Sequence, residues 1–83
     1  MSALELYAIQ ALRLHGAEHM WAIQSLRSYI KLCPDQELIN YINQIVNLDI
    51  LRTLQEAGIR QPAYKTLVSR MNLLIKEQEE AKK

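Results

Sequence analysis

The run PDQELINYINQIVNLDILRTLQEAG, residues 34–58, decides the fold. It is the longest stretch between breakers and the richest in Leu, Ile and Val. At about 100° of turn per residue, Leu38, Ile39, Tyr41, Ile42, Ile45 and Val46 share one broad side. Asn40, Asn43, Gln44 and Asn47 share the other. From Leu48 the pattern rotates by more than a quarter circle. Ile50, Leu51, Leu54 and Ala57 now lie over the old polar side, and Asp49, Arg52 and Glu56 over the old apolar side. One straight helix on one core cannot satisfy both halves. Either the chain breaks near residues 47–49 or a second surface covers the far side. Asn47 suits an N-cap and Asp49 is an acid placed for the first turn, so the reading is a break.

Working outward, Pro34 ends the preceding helix because it disfavours the α conformation at Cys33. Ala22, Ile23, Leu26, Tyr29 and Ile30 form the core stripe of that helix, with His19 and Cys33 at its two ends. Met20 and Trp21 lie off the stripe. Gly16 separates it from a first helix that is apolar nearly all round, with main face Ala3, Leu4, Tyr7, Ala8, Ala11 and Leu14. Leu6 and Ile9 fall on or beside its polar side, and Ser2 with Glu5 reads as a capping box. A helix of this kind is buried on more than one side, which in a small protein implies a partner chain. Downstream, Ala57-Gly58 is a C-cap signal and Pro62 suits the first position of a last helix. That helix carries Tyr64, Leu67, Val68, Met71, Leu74 and Ile75 on one face, with Leu73 an apolar outlier. No segment sustains the period of two that a strand requires. The expectation is an all-α fold: a compact bundle of four to five short helices over about 3–14, 17–32, 35–46, 48–57 and 62–80, one domain over 1–83, with a charged, solvated tail at 76–83.

Two sequence echoes stand out. Tyr7-Ala8-Ile9-Gln10-Ala11-Leu12-Arg13 recurs as Trp21-Ala22-Ile23-Gln24-Ser25-Leu26-Arg27, with Gly16 between the copies. Separately, Ala22, Ile23, Leu26, Ile30, Leu32 and Pro34 resemble the second helix of a tetratricopeptide repeat, which ends in an apolar residue, a spacer and Pro. Tyr29 departs from that pattern, where the family has a small residue. The preceding helix lacks the family's signature and no second copy follows, so the resemblance brings no function with it.

The totals exclude several classes. A chain of 83 residues buries only ~60–65% of its unfolded surface, and association is a common remedy for so marginal a core. With 49% apolar residues it is too hydrophobic for disorder, and a net charge of +1 gives no global pull toward nucleic acid or acidic membranes. One cysteine, Cys33, allows no internal disulfide and suits a reducing compartment. The start lacks the basic region of a signal peptide, and no run of ~18 apolar residues spans a membrane. The cytoplasm is the expected location.

Candidate chemistry is sparse. His15-Gly16-Ala17-Glu18-His19 spells the inverted zinc-protease pattern, but Gly16 ends a helix between the two His and no third ligand motif exists. Cys33 and His19 lie about four turns, roughly 20 Å, apart on one helix and cannot form a nucleophile–base pair there. No paired carboxylates or glycine-rich phosphate loop appears. The expectation is therefore no enzyme and no cofactor, but a protein–protein interaction or oligomerisation module, a homo-oligomer, with Leu6, Ile9, Met20, Trp21 and Leu73 at the interface. The alternative is a DNA-binding regulator. Residues 57–75 contain no acid, and the segment 48–76 would form a helix-turn-helix-like pair contacting nucleic acid through Arg60, Gln61, Lys65, Ser69 and Arg70.

Overall fold

The computed structural model describes residues 3–81 and contains five helices and, among those residues, no strand. They are α1 (Ala3–Arg13), α2 (Ala17–Leu32), α3 (Asp35–Gln44), α4 (Leu48–Ala57) and α5 (Ala63–Ala81). The all-α expectation holds, and each boundary falls within two residues of the sequence reading. The capping box expected at Ser2 lies outside the described residues, as does the end of the charged tail.

The break in the central stretch is real. Gln44 ends α3, and Ile45 is extended with ψ 127° while its N–H still donates to the Ile42 carbonyl at 3.2 Å. Asn47 caps α4, its side-chain oxygen accepting from the Asp49 N–H at 2.8 Å. This satisfies one of the donors that every helix start leaves unpaired. The rotation of the apolar pattern is thus resolved by two short helices, each aimed at its own neighbours. One expectation fails here. Val46 does not share the apolar side of α3; because the helix has already ended, its side chain turns out to 75% exposure while Ile45 stays buried.

Helix α4 sits at the centre, packing on α1, α2 and α5; α1 also packs on α2, and α3 on α5. Leu48, Ile50, Leu51, Thr53, Leu54 and Ala57 are all buried in α4, more than half of a ten-residue helix. The one polar residue in this set, Thr53, donates its hydroxyl to the Asp49 carbonyl at 2.9 Å, so no polar atom is left unsatisfied there. Leu4, Leu26, Leu38, Ile42, Ile45, Leu51, Leu54 and Leu67 form the deepest layer, drawn from all five helices or their ends. Gly58 ends α4 at φ 98°, a conformation open to glycine, and its N–H donates to the Leu54 and Gln55 carbonyls.

Candidate interaction surface

The polar side chains with distinctive geometry are committed to holding the helices together. Every helix leaves carbonyls unpaired at its C-terminus, where the macrodipole also favours a cation. In this chain four such ends receive a side chain from elsewhere. His19 Nδ1 lies 2.6 Å from the Ala11 carbonyl near the end of α1. Arg60 Nη1 donates to the Ile30 carbonyl at 2.7 Å and Nη2 to that of Cys33, closing α2, while its Nε pairs with Asp35 at 2.7 Å at the start of α3. Arg70 Nε donates to the Ile45 carbonyl at 2.9 Å, just past α3. Arg27 Nε donates to the Ala57 carbonyl at 2.8 Å, at the end of α4. Helices α3 and α4 have no basic residue in their own last turn, so the distant arginines supply what the local sequence lacks.

Of the residues singled out for metal or nucleophilic chemistry, His19 and Cys33 have partners within the fold. His15 is exposed beyond the end of α1, and Gly16, at φ 63°, precedes α2. His19 Nε2 lies 3.1 Å from Oε1 of Glu56 on α4. The hydrogen bond to Glu56, then that to the Ala11 carbonyl, raises the His19 pKa above its ordinary 6.5. Among the described residues no three His, Cys, Asp or Glu side chains gather as a metal site. Cys33 is buried with Sγ 3.9 Å from Glu37 Oε2; burial first, then the Glu37 charge, pushes its thiol pKa up, away from the thiolate a nucleophile requires.

The apolar residues expected at an interface do reach the surface, in separate places. Leu6 is exposed and Ile9 half-buried on the outer side of α1, which forms a shallow, largely apolar groove with Ala3, Tyr7, Gln10 and Arg13. Trp21, 69% exposed, and Met20 stand about a quarter turn apart at the start of α2. Leu73 belongs to a groove between α3 and α5, on elements other than α1 and α2. The structure therefore places Leu6 and Ile9 in one groove and Leu73 in another. Leu12, Leu32 and Val46 are exposed as well, and so is Tyr7, expected on the main face of α1; sequence reasoning missed all of these. For Leu12 the internal echo held the signal. Its counterpart Leu26 is fully buried, whereas Leu12 is 41% exposed; Ile23 is buried, whereas Ile9 is only half-buried. At these two positions the apolar side chain is less covered in α1 than in α2, while Ala8 and its counterpart Ala22 are both buried.

The proposed nucleic-acid residues divide in two. Gln61, Lys65 and Ser69 are exposed on and before α5. Arg60 and Arg70 are engaged within the fold, Arg60 through two backbone carbonyls and the Asp35 carboxylate, Arg70 through the Ile45 carbonyl. A shallow groove lined by Asn43, Lys65, Thr66, Ser69, Arg70 and Leu73 runs between α3 and α5 without an acidic side chain. No helix among the described residues is long and apolar enough to cross a membrane. No protein-family model, curated protein or solved structure matches the chain.

Proposed function

We propose that the chain is a small helical association module that works through protein–protein contact, pairs with further copies of itself, and carries no catalytic activity or cofactor. The observation that supports this reading most is the outer side of α1, where Leu6 and Leu12 are exposed and Ile9, packed in part on the core, is only half-buried. Burying a Leu or Ile side chain fully is worth ~1.5–3 kcal/mol. Three such residues left partly in water together forgo roughly 2–4 kcal/mol, a sizeable fraction of the stability of a small domain. A symmetric dimer recovers it by using one patch twice. The buried thiol fits a reducing, cytoplasmic setting. The test is a pair of variants followed by light scattering. Ile9→Lys is expected to give a monomer and Arg13→Lys to leave the association intact. Equal behaviour of the two would place the contact elsewhere.

A second reading, DNA binding through α5, is favoured by the acid-free groove beside Lys65 and Ser69. It predicts DNA affinity that falls steeply with salt and weakens in Lys65→Ala. Absence of binding at low salt by the unmodified chain would end it. With Arg60 and Arg70 engaged inside the fold, this surface keeps fewer free cations than its sequence suggests.

A further inference from the structure

We infer that the occupant of the open α1 face is α1 of a second copy, laid antiparallel across it. This rests on the self-association proposed above and goes further by assigning the register. Glu5, Ile9 and Arg13 follow one another at spacings of four and form one ridge along α1, with Leu6 on one flank and Leu12 on the other. Leu6, Leu12 and Arg13 are exposed and Glu5 half-buried; Ile9 between them packs in part on the chain's own core and keeps the rest of its side chain at the surface.

The charges select the direction. The ridge has an acid in the first turn of α1 and a base in the last. A parallel copy would set Glu5 against Glu5 and Arg13 against Arg13. An antiparallel copy sets Glu5 against Arg13 at both ends and opposes the two helix dipoles. The midpoint between residues 5 and 13 is residue 9, so the same operation brings Ile9 onto Ile9 of the copy. The surface is self-complementary, as an isologous contact requires. Glu5 takes part in a polar or electrostatic interaction within its own chain. A carboxylate has about four lone-pair sites, however, and can serve a second donor. A contact centred on one 11-residue helix belongs to the small class of interfaces, below roughly 1,200 Å². The dimer is therefore weak and needs high micromolar protein to fill.

The test exchanges the charges. Glu5→Arg and Arg13→Glu are each expected to weaken homodimerisation by roughly tenfold, because two attractive rim pairs become repulsive. Mixed in equal amounts, the two variants are expected to form a heterodimer, since every ridge contact then pairs opposite signs; sedimentation velocity reads both. Ile9→Cys supplies a check that does not depend on the charged variants folding. Under mild oxidation it is expected to give a disulfide-linked dimer faster than Trp21→Cys or Leu73→Cys. A dimer that ignores both charge changes, or that links no faster through position 9, overturns the antiparallel register and leaves self-association standing. An unmodified chain that stays monomeric overturns both.

Discussion

At the scale of single residues, His19 shows how a side chain expected at the end of a core stripe becomes a junction. Both of its ring nitrogens face acceptors: the Ala11 carbonyl and the Glu56 carboxylate. A neutral imidazole has one N–H and can satisfy only one of them, whereas the protonated ring satisfies both. The folded pKa is raised above the unfolded value by those same two partners, the Glu56 bond first. The sign follows from linkage. A base with a raised folded pKa contributes stability that is fully present below its unfolded pKa, near 6.5, and lost as pH rises through the folded value. The melting temperature is thus expected to fall as pH rises from the 6.5 region toward the alkaline side, and to flatten in His19→Gln; a melting series across pH checks it. Arg60 is the sharper case. Its guanidinium spans the end of α2 and the start of α3, so Arg60→Ala is expected to cost roughly 1–2 kcal/mol, lowered from the usual worth of charged hydrogen bonds by partial exposure. Arg60→Lys recovers little of it, because an ammonium cannot reproduce the planar fork. Urea midpoints measure both. A count of charges in the sequence cannot distinguish an arginine that caps a distant helix from one that waits for a phosphate. For that reason the charge pattern alone marks Arg60 and Arg70 as nucleic-acid contacts.

At the scale of elements, the rotation of the apolar pattern at Leu48 and the Asn47 cap were legible because both are local. Periodicity and capping depend only on neighbours in sequence. The place where α3 stops was not, since no Gly or Pro marks it; the chain leaves the helix at Ile45 so that Ile45 can stay in the core while α4 turns toward α1 and α2. The difference is measurable. Ile45→Ala, at a site with 2% exposure, is expected to cost ~2–4 kcal/mol. Val46→Ala next to it, mostly in water, should change stability by less than about 0.5 kcal/mol. Asn47→Ala should cost about 1 kcal/mol through the lost cap. Chemical denaturation of the three variants ranks them, and equal costs at 45 and 46 would contradict the end assigned to α3.

At the scale of the whole molecule, the surface is where the sequence reading was least complete. Leu6, Ile9, Met20, Trp21 and Leu73 were recognisable as apolar residues off the core stripes, but periodicity cannot tell which outliers share a face in three dimensions. Tertiary packing places Leu73 in a groove between α3 and α5 and leaves Leu12 exposed on α1. The comparison of Leu12 with Leu26, two residues in matching heptapeptides with opposite burial, supports the proposal that α1 takes a second cover. The central claim is therefore one of mass. Sedimentation equilibrium of the unmodified chain, taken from low micromolar to millimolar concentration, measures it directly. The expected result is a weight-average mass that climbs from the 9.7 kDa of one chain toward twice that value. A mass that stays at 9.7 kDa across the whole range would contradict the account.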